Sequence, residues 1–174
     1  MINIIILLGE SASGKSTIEN KLVKKGYKKI VSYTTREMRK GEEDGVDYHF
    51  ISNQDFLNKL SCGFFAEDVS YGGWNYGIAI RDCKDDTIVV VEPCGFRQLK
   101  LINNMSIKSF YIKVNERERL IRLVKRGDNL MEVFRRIFSD QGVFQKIDKE
   151  VDYIIQNDEG QDGFEQILKI LEEK

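Results

Sequence analysis

The chain has 174 residues, of which 41% are hydrophobic and 32% are charged, and its formal net charge is −1 at pH 7. This length fits one domain whose core needs no metal or disulfide to be stable. The balanced charge argues against a nucleic-acid or membrane surface, so any anion site must come from local arginine clusters. A single histidine excludes mechanisms built on paired histidines. The three cysteines lack metal-ligand spacing and are odd in number, which predicts a reducing, cytoplasmic location.

Predicted strands and helices alternate along most of the chain. Residues 2–8 form a short run that is apolar except at Asn3 and does not alternate, which is typical of a strand buried in a parallel sheet, and the run is too short to span a bilayer. Residues 16–25 have one apolar face and precede Gly26, which predicts a helix that ends there. The other predicted strands span residues 27–31, 48–51, 64–69, 74–80, 87–91, 107–114 and 152–155. The other predicted helices span residues 53–60, 116–125, 131–146 and 164–171.

This alternation predicts an α/β fold with a mostly parallel central sheet covered by helices on both faces. Residues 32–80 break the rhythm with short strands. They predict an inserted strand-rich lobe, which is a place where a substrate could be held.

Residues 9–17, GESASGKST, lie between the first predicted strand and the first predicted helix. They fit the motif G-x-x-x-x-G-K-[ST] in the context that it requires. Glycines let backbone amides wrap around phosphate, and the helix N-terminus adds partial positive charge. Lys15 would reach the β- and γ-phosphates, and the Ser16 hydroxyl would ligate Mg²⁺. A chance match has a probability of about 1% or less. The predicted ATP-binding residues are Gly9, Ser11, Ala12, Ser13, Gly14, Lys15, Ser16 and Thr17.

The rest of the sequence narrows the class of nucleotide protein. A GTPase would carry an N/T-K-x-D motif, and the sequence has none. Several arginines in loops favour a small-molecule kinase, because phosphoryl transfer between two polyanions needs many cations. Residues 88–92, IVVVE, end in an acid that could help hold the metal. An ordinary buried strand with a charge at its end explains that pattern equally well.

Residues 31–50, VSYTTREMRKGEEDGVDYHF, resemble the acceptor-binding region of guanylate kinases. They match the pattern S-x-T-T-R-x-x-R-x-G-E-x-x-G-x-D-Y-x-F without a gap. Residues 64–77, FFAEDVSYGGWNYG, are similar to the family's next motif, and the resemblance continues less closely to the C-terminus. It implies a P-loop NTPase fold and the reaction ATP + GMP → ADP + GDP, usually with dGMP accepted and with Mg²⁺ as cofactor.

The resemblance also implies how GMP is bound. Arg36, Arg39, Tyr48 and Tyr76 would hold the acceptor phosphate, since guanidinium forks match a phosphate dianion and phenols add neutral donors. A carboxylate accepts guanine N1–H and N2–H₂ together, and adenine offers neither donor. The implied GMP-binding residues are Ser32, Arg36, Arg39, Glu42, Tyr48, Glu67, Tyr76 and Glu92, with Ser32 and Glu67 reading the base.

By the same resemblance, one domain over residues 1–174 has three parts. These are a core (1–31, 81–115 and 147–174), an acceptor lobe (32–80) and a lid (116–146). Lys15, Arg126 and Arg136 are the predicted catalytic residues. Arg122 and Arg135 fit catalysis and surface ion pairing equally well. No general base is expected, because the acceptor oxygen is already ionised.

Two positions depart from the family pattern. Ile78 stands where a serine or threonine usually contacts the guanine carbonyl, and Val90 with Glu92 occupies the place of an acid–x–acid pair. A nucleoside monophosphate kinase with shifted base preference is therefore an alternative. A catalytically silent binding module is a third, although Lys15 and Ser16 argue against it. The expected partners are ATP and GMP or dGMP, with no nucleic acid and no membrane, and the chain is either a monomer or a homodimer.

Overall fold

Strands and helices alternate over the described residues, 2–127 and 129–173, of the computed structural model. The strands are β1 (Ile2–Leu8), β2 (Lys28–Lys29), β3 (Tyr33–Thr34), β4 (His49–Phe50), β5 (Phe65–Tyr71), β6 (Trp74–Ala79), β7 (Thr87–Val90), β8 (Met105–Lys113) and β9 (Tyr153–Gln156). The helices are α1 (Lys15–Lys24), α2 (Asn53–Ser61), α3 (Pro93–Leu99), α4 (Glu116–Lys125), α5 (Leu130–Asp140) and α6 (Gly163–Glu172). Short 3₁₀ turns lie at Ile80–Asp82 and Ile147–Lys149.

The central sheet has the strand order β2-β7-β1-β8-β9, and all of its pairings are parallel. Both faces of β1 are covered. Ile4, Ile6 and Leu8 pack in one buried cluster with Phe96 of α3. Ile5 and Leu7 pack on the other face with residues of α1 and α6. Each fully buried aliphatic side chain of this kind contributes about 1.5–3 kcal/mol. Burial on both faces explains why the sequence of β1 does not alternate.

A second sheet, with the order β4-β3-β6-β5, is built from the inserted residues. β5 and β6 form an antiparallel hairpin whose turn contains Gly72 at φ 59° and Gly73 at φ 88°. Consecutive left-handed residues are what a tight hairpin turn requires. The Gln98 side chain of α3 donates to the Asp68 carbonyl at 2.7 Å and accepts from the Asp68 N–H at 3.1 Å. This pair attaches the second sheet to the core.

The predicted α/β fold is confirmed, and nearly all predicted elements lie within two residues of the observed ones. One helix end is wrong, because the helix predicted over 131–146 ends at Asp140. Gly142 and Lys146 then adopt positive φ angles of 79° and 66°, which a helix cannot contain. The sequence predicts no helix between 91 and 107, but α3 forms there with Pro93 in its first turn.

Within the described residues, no helix has the length and apolar character needed to cross a membrane.

Candidate active site

A cleft of about 550 Å³ lies between the loop after β1, the second sheet and helices α4 and α5. It opens at the carboxyl ends of β1 and β7, where ligands bind in open parallel sheets. Most predicted nucleotide residues line it together: Ser11, Ala12, Ser13, Gly14, Lys15, Ser16, Thr17, Ser32, Arg36, Arg39, Tyr48, Glu67, Tyr76, Glu92, Arg126 and Arg136. Two predicted residues do not line it. Gly9 forms the base of the loop, and Glu42 lines a neighbouring groove of about 860 Å³.

The loop of residues 9–17, here called the phosphate-binding loop, needs both of its glycines. A Cβ on Gly9 would lie 2.7 Å from the Ile112 carbonyl oxygen. A Cβ on Gly14 would lie 2.5 Å from Nδ2 of Asn157, and Gly14 has a left-handed φ of 98°. α1 begins at the next residue, Lys15, so the amides of its first turn face the cleft. The loop therefore presents backbone donors and a helix N-terminus to an anion.

Lys15 folds over the start of this loop. Its ammonium donates to the Glu10 carbonyl at 3.0 Å and to the Gly9 carbonyl. Burial lowers the pKa of Lys15, whereas the nearby carboxylates of Glu92, Asp140 and Glu10 act to raise it. Carbonyls and carboxylates thus hold the ammonium at the loop, where a phosphate would compete for its hydrogen bonds.

Arg36 and the two tyrosines meet on the opposite wall. Arg36 is 4% exposed, and its guanidinium lies 5.4 Å from the centre of the Tyr48 ring. The rings of Tyr48 and Tyr76 are 6.0 Å apart. Burial raises the pKa of the Tyr48 phenol, so that it remains a neutral donor near pH 7. These groups combine one fixed positive charge with neutral hydroxyls, which suits a phosphate dianion.

Glu42 orients this wall instead of lining the cleft. Its carboxylate accepts from Nη2 of Arg36 at 2.8 Å and from the backbone N–H of Arg39 at 2.7 Å. Hydrogen bonds from Arg36 and Arg39 lower the pKa of Glu42 against the opposing effect of its burial. Glu42 therefore fixes the direction of Arg36.

We expect Glu42→Ala to raise KM for the phosphate acceptor by about tenfold, because it releases a charge-assisted contact to Arg36. Steady-state kinetics with varied acceptor measures the effect. The exposed neighbour Glu43 provides the matched control, Glu43→Ala. Equal KM values in the two variants would contradict the positioning role.

Glu67 and Glu92, two carboxyls with a buried oxygen each, also line the cleft, and Glu92 is the one close to Lys15. Oε2 of Glu67 and Oε2 of Glu92 have no hydrogen-bond partner among the described residues. Burial, with Asp68 and Glu92 nearby, raises the pKa of Glu67 to about 8. Burial raises the pKa of Glu92 to about 7, against the opposing charge of Lys15. Unpartnered buried acids are costly, so this part of the cleft is suited to a ligand with adjacent N–H donors.

Gly95 of α3 makes room for Glu67, because a Cβ at Gly95 would overlap Oε2 of that carboxylate. Ile78 lies elsewhere. Its side chain is fully buried in the core cluster that contains Cys83 and Phe96. Ile78 therefore packs in the core and offers the ligand no polar group.

The arginines of α4 and α5 are held by acids and by backbone. Glu132 forms ion pairs with Arg135 at 2.7 Å, Arg136 at 2.9 Å and Arg39 at 3.5 Å. Hydrogen bonds from Arg135, with the charges of Arg136 and Arg39, lower the pKa of Glu132 to about 2. Arg135 also stacks on Trp74 at 4.4 Å. α5 is thereby docked onto the β5–β6 hairpin.

Arg122 packs against the phosphate-binding loop. It donates to the carbonyl of Ala12 at 3.3 Å, to the carbonyl of Asn157 at 2.7 Å and to Glu118. Arg126 follows at the C-cap of α4 and lines the cleft. The two arginines thus lie four residues apart, at the end of one helix that borders the cleft.

The guanylate kinase family model matches residues 1–174. The chain belongs to the guanylate kinase family. It is 30% identical to the guanylate kinase of Alkalilimnicola ehrlichii over 88% of this chain and 80% of that protein. It is 31% identical to that of Syntrophus aciditrophicus over 95% of this chain and 84% of that protein. The crystal structure of guanylate kinase from Anaplasma phagocytophilum matches with a TM-score of 0.70 and 27% identity, over 99% of this chain and 88% of that one.

These matches confirm the predicted family and P-loop NTPase fold. They also confirm the enzyme class, an ATP-dependent nucleoside monophosphate kinase. Neither alternative, the shifted base preference or the silent binding module, is favoured.

Sequence reasoning does not find four residues that shape the cleft: Tyr71, Arg119, Asp140 and Asn157. Arg119 precedes Arg122 by three residues on α4, so helical spacing is a signal that could have found it. Asn157 donates to the Ser13 carbonyl at 2.8 Å. For Tyr71 and Asp140, no local pattern points to the site, because their partners are remote in sequence.

Proposed function

We propose that the chain transfers the γ-phosphoryl group of MgATP to GMP and dGMP, with Lys15, Arg126 and Arg136 as catalytic residues. The observation that carries this assignment is the shared cleft, which brings the phosphate-binding loop and the buried acids Glu67 and Glu92 to one cavity. We propose that the triphosphate of the donor binds at the phosphate-binding loop and that the purine base of the acceptor binds at the buried acids.

ATP would bind with its phosphates in the loop. Backbone amides and the N-terminus of α1 supply partial positive charge, and Lys15 supplies a full one. Within the described residues, no cluster of three acidic, histidine or cysteine side chains could hold a metal ion. This fits Mg²⁺, which is commonly bound through one or two protein groups and substrate phosphates. Ser16 would provide the protein ligand, and the ion would neutralise charge on the β- and γ-phosphates.

GMP would bind at the other end. Arg36, Arg39, Tyr48 and Tyr76 would hold its phosphate. Glu67 would accept guanine N1–H and N2–H₂, which satisfies an otherwise unpartnered buried carboxylate. The remaining residues of this proposed subsite are Ser32 and Glu92 beside the base, and Glu42, which acts through Arg36.

Transfer needs no general base, because the attacking phosphate oxygen is already ionised. Lys15, Arg126 and Arg136 would offset the charge that spreads over the transferred group. Arg136 is paired with Glu132 in this structure. We propose that residues 116–146 act as a lid over a core of residues 1–31, 81–115 and 147–174, and that residues 32–80 form the acceptor lobe. Closure of the lid and the lobe would exclude water and bring these cations to the phosphates.

A coupled assay of ADP release tests the function, with MgATP and each of GMP, dGMP, AMP, CMP, UMP and dTMP. We expect turnover with GMP and dGMP alone. Turnover with another base would contradict the assigned base recognition. Silence with all six, together with measurable ATP binding, would contradict the kinase assignment.

The protein would act in the cytoplasm, as a monomer or a homodimer. Cys62, Cys83 and Cys94 are free, as a reducing compartment favours. Size-exclusion chromatography with light scattering distinguishes the two oligomeric states.

A further inference from the structure

Asp140, the last residue of α5, lies where the phosphate-binding loop, α4 and β5 meet. Its Oδ2 accepts from the backbone N–H of Ser11 at 2.8 Å and from Nη1 of Arg119 at 3.2 Å. Its Oδ1 accepts from the Ser11 hydroxyl at 3.3 Å and from the Tyr71 phenol. Each oxygen therefore has two donors, which fills the capacity of a carboxylate. The side chain is 5% exposed.

Arg119 also binds the phosphate-binding loop. Besides Asp140, its guanidinium donates to the Ser11 carbonyl at 3.4 Å and pairs with the Glu10 carboxylate at 3.2 Å. Both backbone polar groups of Ser11 are thus held from outside the loop, one by α5 and one by α4. These contacts leave the amides of the first turn of α1 open to the cleft.

We propose that Asp140 is a positioning residue that holds the first half of the phosphate-binding loop in its ATP-binding shape. These contacts hold the loop through groups of the protein itself, so the loop would lose less conformational entropy when ATP binds. Tyr71 belongs to the β5–β6 hairpin of the proposed acceptor lobe. Asp140 therefore joins that lobe and the proposed lid to the loop through one carboxylate.

The opposite role would be that of a blocking anion, which occupies a loop amide until ATP displaces it. The geometry argues against that role. Displacement would strip a buried carboxylate of four donors and leave Arg119 with one acidic partner fewer, which is costly. The two roles lead to opposite expectations when the charge of Asp140 is removed. Loss of a positioning residue weakens ATP binding, whereas loss of a blocking anion strengthens it.

The proposal rests on the assigned ATP site, and Asp140→Asn tests it. In asparagine, only one of the two terminal atoms can accept. If that oxygen faces the Ser11 N–H and Arg119, the contact to Arg119 loses its negative partner, and the Ser11 and Tyr71 hydroxyls must turn to accept from the amide nitrogen. We expect the Kd for MgATP, measured by calorimetry, and KM for ATP to rise about tenfold or more. KM for GMP should change by less than twofold. An unchanged or tighter Kd in the folded variant would overturn the proposal.

Asp152 provides a control. Like Asp140, it accepts from both the backbone N–H and the hydroxyl of one serine, here Ser109 at 2.8 and 2.6 Å, but through a single oxygen and at an exposed position. It lies next to β9, away from the cleft. We expect Asp152→Asn to lower the melting temperature and to leave the Kd for MgATP unchanged. If Asp152→Asn lost as much ATP affinity as Asp140→Asn, general destabilisation would explain both losses. That result would overturn the proposal.

Tyr71→Phe keeps the proposal testable if Asp140→Asn does not fold. It removes one donor from Oδ1 and leaves the contacts to Ser11 and Arg119. We expect a Kd for MgATP that is weaker by about two- to threefold. An unchanged or tighter Kd would overturn the proposal. Because calorimetry with MgATP needs no acceptor, wild-type protein that binds ATP but does not phosphorylate GMP would refute the proposed function and leave this proposal standing.

Discussion

We expect Lys15→Ala to reduce kcat by about 10³-fold or more, because it would remove the full positive charge proposed to lie beside the transferred phosphoryl group. Backbone amides of the phosphate-binding loop remain, so some ATP binding should persist. The coupled ADP-release assay measures kcat with saturating GMP, and calorimetry with MgATP measures what binding is left. A kcat equal to that of the unchanged chain would refute the assigned role.

A second lysine on the same helix provides the control for this variant. Lys24 is exposed in the last turn of α1, and Lys24→Ala should keep both kcat and the melting temperature. Lys15→Ala should also fold, since the hydrogen bonds that it removes are to two backbone carbonyls, those of Gly9 and Glu10. Its loss removes a charge that lowers the pKa of Glu92. Glu92 should therefore stay protonated to a higher pH in this variant.

The predicted residues that the structure brings to the cleft are mostly those specified by neighbouring residues. The phosphate-binding loop is one such group, since its glycines, Lys15 and Ser16 act within nine residues after a buried strand. The acceptor segment is another, because Arg36, Glu42 and Tyr48 form one short stretch. The α/β alternation predicts the sheet for the same reason, as each strand and helix carries its own pattern.

The parts that sequence predicts poorly depend on distant partners. Asp140 and Ser11 are 129 positions apart, and α5 ends at this carboxylate, short of the predicted end. Glu42 reads as a ligand residue in sequence, but the structure turns it towards Arg36. Ile78 suggests a changed base contact, but it belongs to the core. Tertiary packing decides these contacts and the end of α5, and the local spacing of residues carries no signal for tertiary packing.

Glu67→Gln should have the second large effect. It should lower activity with GMP and, at alkaline pH, raise the stability of the fold. The amide group of glutamine keeps the shape of the carboxyl but presents a donor to one of the guanine donors. We expect kcat/KM for GMP to fall on the order of 10³-fold, because one acceptor oxygen is replaced by an amide group that faces a guanine donor and leaves it unpaired. Activity near that of the unchanged chain would contradict guanine recognition by Glu67.

The same substitution should stabilise the fold at alkaline pH. The pKa of Glu67 is about 8 in the folded chain, against 4.5 for an unperturbed glutamate. Between these values the unfolded chain releases the proton and the folded chain keeps it, so the free energy of unfolding falls as pH rises. Above pH 8 the folded chain also releases the Glu67 proton, and the free energy of unfolding falls no further from this group. Glutamine has no such proton, so the melting temperature of Glu67→Gln relative to the unchanged chain should increase from pH 5 to pH 8.

Thermal denaturation at both pH values measures this difference. Glu165→Gln, at an exposed position of α6, is the control and should give a much smaller pH-dependent change. A melting-temperature difference for Glu67→Gln that is the same at pH 5 and pH 8 would contradict the raised pKa. Because the Glu67 carboxyl costs stability as pH rises and its Oε2 has no hydrogen-bond partner among the described residues, we propose that its role lies in ligand binding, with guanine supplying the donors that the protein does not.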